Sequence, residues 1–142
     1  MKQVYDNIRQ QWVAATPEEI VRQRWIQKMV QELKFPKELL VIERELKMLP
    51  HLQHYPHPLP TRRVDLLSFG LNSDKAVFPL LLIECKESVL SQQALDQAVA
   101  YNTFVQAHYV AIVNQEQIRL RYSGCEMDRL PSFNDLVEAV YG

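Results

Sequence analysis

Apolar and polar positions along this chain follow two periods, and their order lays out an α/β domain. From Thr16 onward, Ile20, Trp25, Ile26, Met29, Val30 and Leu33 recur at helical spacing and form one buried stripe. Thr16 suits an N-cap, Pro17 the first helical position and Glu19 a capping box, so a helix is expected from about Pro17 to Lys34, ending before Phe35-Pro36. A strand follows at Leu39–Leu46, then a surface loop rich in proline and histidine at His51–Pro60. Val64–Phe69 and Phe78–Lys86 read as two strands joined through the turn residues of Gly70–Lys75, that is, a hairpin.

Ser88 and Ser91 offer N-caps for a helix reaching about Gln106, with Ala94, Ala98, Tyr101 and Val105 on one side. His108–Val113 and Gln117–Tyr122 alternate as strands, and Phe133–Tyr141 closes the chain as a short helix. Helix, three strands, helix, two strands, helix is a mixed α/β layer arrangement with a sheet of about four to five strands. The 142 residues suit a single domain, 1–142, with room for one core.

Composition adds exclusions. Apolar residues make up 47% and charged residues 23%, an ordinary globular balance. The start MKQVYDNIRQ lacks a signal-peptide core, and the longest nearly apolar run, Ala76–Ile83, is too short to span a bilayer. A cytoplasmic protein without membrane contact is therefore expected, with Cys85 and Cys125 as reduced thiols. A formal net charge of −1 argues against a broadly basic nucleic-acid binder, so any such contact must come from a local patch.

The candidate chemistry sits at the end of the most apolar strand. Leu80 to Ile83 is apolar on both faces; Glu84 and Lys86 then bring opposite charges two residues apart, on one face. A hairpin sets Asp65 across from them. Two carboxylates with one ammonium suit a hard divalent ion, Mg²⁺ or Mn²⁺, which can acidify a water while the lysine acts on that water or on developing charge. The guanidinium forks of Arg22, Arg62 and Arg63 are candidates for phosphate contact. His51, His54 and His57 fit no helix face and read as loop residues, and Cys85 reads as a packed small residue on the opposite strand face.

Arg63-Val64-Asp65, then Pro79 through Glu84-Cys85-Lys86, then Gln97-Ala98-Val99-Ala100-Tyr101-Asn102 resemble the ordered motifs of the PD-(D/E)xK nucleases. The closer likeness is to the N-terminal nuclease domain of type I restriction enzyme R subunits. The front of the chain, Pro17-Glu18-Glu19-Ile20-Val21-Arg22-Gln23, resembles that family's opening helix, and the likeness spans about Thr16 to Tyr122. It implies a restriction-endonuclease-like fold and a metal-dependent nuclease acting on nucleic acid, DNA being the expected substrate. Asp65, Glu84 and Lys86 would be catalytic, and Gln97 and Tyr101 would stand beside the metal site. An acid from the first helix is a candidate further ligand: Glu19 first, Glu18 next, with Glu43 of the first strand weaker.

The pattern departs from the family at Val64, where proline is usual, and at Val113-Asn114-Gln115, where Thr-Asn-Gly is usual. No motor follows within the chain, so restriction by a translocating complex is not expected of it alone. A separate motor or specificity protein and a homodimer are candidate partners. The competing reading is a catalytically inactive module of the same fold that binds nucleic acid or a partner.

Overall fold

A computed structural model describes residues 2–141. Its main body is a six-stranded sheet in the order β3 (Leu40–Glu45), β4 (Arg63–Leu71), β5 (Val77–Cys85), β6 (Tyr109–Val113), β7 (Ile118–Tyr122) and β8 (Cys125–Met127). All neighbours are antiparallel except β5 and β6, which run parallel across the helix α2 (Gln92–Val105). A parallel pair needs such a crossover, and the helix it supplies covers one sheet face. On that side Leu95, Ala98, Tyr101 and Val105 of α2 are buried. The opposite face is covered by α1 (Pro17–Gln31), through Val21, Trp25, Ile26 and Met29, and by α3 (Phe133–Tyr141), through Leu136. This is the layered arrangement of a restriction-endonuclease-like fold.

Local chemistry explains most boundaries. The Thr16 hydroxyl accepts from Glu19 N–H at 3.2 Å, and α1 stops at Gln31, three residues short of the expected Lys34. Lys34 itself has φ 63°, outside the right-handed helical region. Ser91, not Ser88, caps α2, accepting from Ala94 N–H at 3.1 Å. At the other end Gln106 takes a left-handed φ of 66°, and the Asn102 side chain bonds both the N–H and the C=O of Ala107 at 2.9 Å. Gly70 lies under the Phe78 ring: a Cβ there would meet ring carbons at 2.6 and 2.9 Å.

Three parts differ from the sequence expectation. The sheet has six strands rather than four to five, because Ser123 (φ 51°) and Gly124 (φ 83°) make a two-residue turn that adds the short edge strand β8. The segment around His51–Pro60 is no simple surface loop. Leu46 and Leu52, in two 3₁₀ turns, and Leu49 between them are buried, and His51 Nε2 bonds the Val105 carbonyl at 2.6 Å. Finally, residues before Thr16 form an unanticipated hairpin, β1 (Gln3–Asp6) and β2 (Gln11–Ala14), whose turn is closed by the Asp6 carboxylate accepting from Ile8 N–H at 2.7 Å and Arg9 N–H at 3.2 Å.

No helix among the described residues is long and apolar enough to cross a membrane.

Candidate active site

β4 and β5 pair Leu66 with Ile83. Asp65 and Glu84 lie just beyond that pair at the strand ends, Asp65 reached by Arg22 from α1 and Glu84 by Arg62, which stacks on Tyr101 of α2, and both line one cleft. Lys86 leaves β5 just beyond, its backbone N–H donating to the Val113 carbonyl at 2.8 Å. These groups, with Glu18, Arg22, Glu43, Arg62 and Arg63, line a cleft of about 390 Å³. A roomier cavity of about 500 Å³ beside the N-terminal hairpin has no carboxylate in its lining. Chemistry rather than size therefore marks the smaller cleft.

Asp65 and Glu84 each have an arginine. Asp65 Oδ1 accepts from Arg22 Nε at 3.0 Å and also from Arg22 Nη2, while Asp65 Oδ2 accepts from the Cys85 backbone N–H at 2.7 Å. Glu84 is 4% exposed and pairs with Arg62, whose guanidinium lies 4.1 Å from the centre of the Tyr101 ring. Burial pushes the Glu84 carboxyl up to about 7; Arg62 and Lys86 pull it down, and the Asp65 and Glu18 charges push it further up. Lys86 is half-buried, and among the described residues its ammonium has no ion-pair partner.

The sequence-derived candidates divide accordingly. Asp65, Glu84 and Lys86 meet in the cleft. Tyr101 approaches it from α2, its hydroxyl donating to the Arg62 carbonyl at 3.4 Å; burial and the Glu84 charge raise its phenol to about 12. Gln97, one turn earlier, is exposed and is not among the residues lining the cleft. Glu19 is turned elsewhere: its Oε1 accepts from Arg9 Nη2 at 2.6 Å and Arg22 Nη1 at 2.8 Å, and its Oε2 from Gln23 at 3.0 Å. Glu18 is the α1 acid that lines the cleft. Among the described residues, no three acids, histidines or cysteines gather around one point.

Arg63, with a 59% exposed side chain, and Arg62, 51% exposed, line the cleft with solvent-facing guanidinium groups. Arg22 is a correction to the phosphate-contact expectation. It is 4% exposed and enclosed by Asp65, Glu19 and Glu43, so its charge is already matched. Cys85 is buried, and burial raises its thiol, which removes it as a nucleophile.

Two features at the site escaped the sequence. Glu43 has φ 47° inside β3, between the paired residues Ile42 and Arg44, an unusual conformation for a non-glycine residue. Arg9 reaches from the hairpin turn to Glu19, and to Glu43 at 3.5 Å. Asp6 at the end of β1 and Asn7 at the start of the turn were a signal available in the sequence.

The donor set suits a hard divalent cation: Asp65 and Glu84 line the same cleft, and the Asp65 charge adds to the cost of ionising Glu84. Fold and site together define an α/β domain of restriction-endonuclease-like fold with acids at its strand ends. The chain belongs to the family described as type I restriction enzyme R protein N terminus, whose sequence model matches residues 17–132. No curated protein matches the chain. Membership assigns the domain a nuclease-related role.

Proposed function

We propose that this domain is a Mg²⁺- or Mn²⁺-dependent nuclease that hydrolyses phosphodiester bonds of DNA, with Asp65, Glu84 and Lys86 at its centre. The observation that carries this reading is the Lys86 ammonium, without an ion-pair partner among the described residues, in one cleft with the Asp65 and Glu84 carboxylates, the second of them buried. A divalent ion bound there supplies an acidified water and stabilises charge on the phosphoryl oxygens. Asp65 and Glu84 would hold it. The Cys85 N–H holds Asp65 Oδ2 and Arg22 holds Oδ1, which together fix the rotation of the carboxylate. Lys86 orients the attacking water or neutralises the phosphoryl oxygen it faces. Arg62 and Arg63 contact the flanking phosphates, Arg62 sliding from Glu84 across the Tyr101 ring as the strand enters. Tyr101 thus keeps a site role as a platform, and Gln97 meets substrate from its exposed position on α2, outside the cleft lining.

DNA, a separate motor or specificity protein, and a second copy of the chain are the proposed partners, and the cytoplasm is the proposed compartment. Cutting both strands of a duplex takes two sites, which a homodimer supplies.

One observation favours a second reading, a non-catalytic binding module of the same fold: both carboxylates already have arginine partners. A single experiment separates the two. Labelled single-stranded, duplex and branched DNA and RNA are incubated with and without Mn²⁺, using wild type and Lys86→Ala. The nuclease reading expects Mn²⁺-dependent cleavage that falls at least a hundredfold in Lys86→Ala, the scale of one lost general-acid–base or charge-stabilising group. Uncut substrates that are nevertheless retained by the protein support the binding module.

A further inference from the structure

Arg9 belongs to the N-terminal hairpin, which lies before the residues 17–132 matched by the family. It nevertheless touches the same two acids as Arg22. Arg9 donates to Glu19 Oε1 at 2.6 Å and stands 3.5 Å from Glu43; Arg22 donates to that same Glu19 oxygen at 2.8 Å and to Glu43 at 3.3 Å. Beyond this shared pair the arginines diverge. Arg9 is anchored on the fully buried Asp6, and Arg22 on Asp65. The result is an alternating chain of charge: Asp6, Arg9, the two glutamates, Arg22, Asp65.

We propose that Arg9 is a positioning residue for the nuclease site, setting how firmly Arg22 holds Asp65 and thereby how readily Asp65 accepts a divalent ion. This rests on the metal-site reading above. The physical reason is competition for a scarce cation. Glu19 is buried, so it needs positive partners. With Arg9 present, Glu19 and Glu43 share two guanidinium groups, and Arg22 can place Nε and Nη2 on Asp65 Oδ1. Without Arg9, Glu19, Glu43 and Asp65 compete for Arg22 alone, and the two glutamates draw it off Asp65. The strained φ of 47° at Glu43 fits this arrangement, because it keeps that carboxylate over the arginines.

Two measurements test the proposal. The first needs no metal: a double-mutant cycle on the full chain in EDTA, combining Arg9→Gln with Asp65→Asn and reading unfolding in urea. Arg9 and Asp65 share no contact, so independent side chains give unfolding constants that multiply. Positioning through Arg22 predicts a deviation of threefold or more from that product; agreement within a factor of two overturns the proposal. The second is Mn²⁺ titration followed by calorimetry. Arg9→Gln, which keeps hydrogen-bonding atoms but removes the charge, should bind Mn²⁺ roughly three- to tenfold more tightly, on the scale of one unit charge withdrawn from partly buried surroundings. Arg9→Lys should restore the wild-type affinity within twofold. Arg24→Gln, which removes an exposed α1 cation outside the network, should change it less than twofold.

A hairpin clamp with no link to the site would lower stability in Arg9→Gln and leave Mn²⁺ affinity unchanged or weaker, which overturns the proposal. Absence of Mn²⁺ binding in the wild type overturns the metal-site reading and, with it, the affinity claim; a coupled cycle in that case would identify a purely structural ion network.

Discussion

Glu84→Gln should make the metal-free protein more stable at alkaline pH and leave it unchanged in acid. Glu84 is 4% exposed, and its carboxyl is raised from 4.5 to about 7, chiefly by burial. A carboxyl with a folded-state value above its unfolded one binds its proton more tightly in the folded protein. Stability therefore falls as pH rises from 4.5, and the loss is complete once pH exceeds 7. Over that interval the loss amounts to about 3 kcal/mol. Glutamine removes the charge and keeps the shape, and the ion pair it forgoes is already counted, because Arg62 is among the groups that set the value of about 7. The gain is therefore about 3 kcal/mol at pH 8, or roughly 10 °C in Tm for a domain of this size, and about zero at pH 4. Thermal unfolding in EDTA across that range reads it directly. Mg²⁺ should then raise the Tm of the wild type alone. A variant less stable than wild type at pH 8, or a difference that does not change with pH, would refute the reasoning and make Glu84 an ordinary structural partner of Arg62.

Asp65→Asn should behave oppositely: it removes the charge that Arg22 holds at a buried position, and urea unfolding should show a loss of about 1–3 kcal/mol along with loss of Mn²⁺ binding in calorimetry. Tyr101→Leu takes away the ring beneath Arg62 and the hydroxyl on its carbonyl. Substrate KM should rise several-fold while Mn²⁺ affinity stays within twofold, measured by cleavage kinetics and calorimetry respectively. Gly70→Ala drives a methyl into the Phe78 ring and should cost about 1–3 kcal/mol in urea unfolding without altering Mn²⁺ affinity.

Much of this architecture was legible because it rests on local signals. Thr16-Pro17 and Ser91 start α1 and α2 as capping chemistry dictates, and the apolar run into Glu84 marks β5 as a central strand. Asp65, Glu84 and Lys86 could be paired on paper because a hairpin with period-two side chains leaves few alternatives. The N-terminal hairpin was not legible: four-residue strands carry too little alternation to register, and its Asx-type turn depends on where the Asp6 side chain folds back. Arg22 misled for a related reason. Its helical position says which face it shares, but only the tertiary arrangement brings Glu19, Glu43 and Asp65 around it and turns a candidate phosphate contact into a buried ion partner. Glu19 shows the same effect from the acidic side, because Arg9 arrives from a segment with no assigned element.

The measurement that bears most directly on the central claim is anomalous diffraction from crystals of the wild-type domain soaked in Mn²⁺, with Asp65→Asn treated identically. The account predicts one manganese peak within about 2.2 Å of oxygens from both Asp65 and Glu84, with Arg62 withdrawn from Glu84, and no peak in Asp65→Asn. A wild-type map with Arg22 and Arg62 still seated on the two carboxylates and no manganese between them would contradict it.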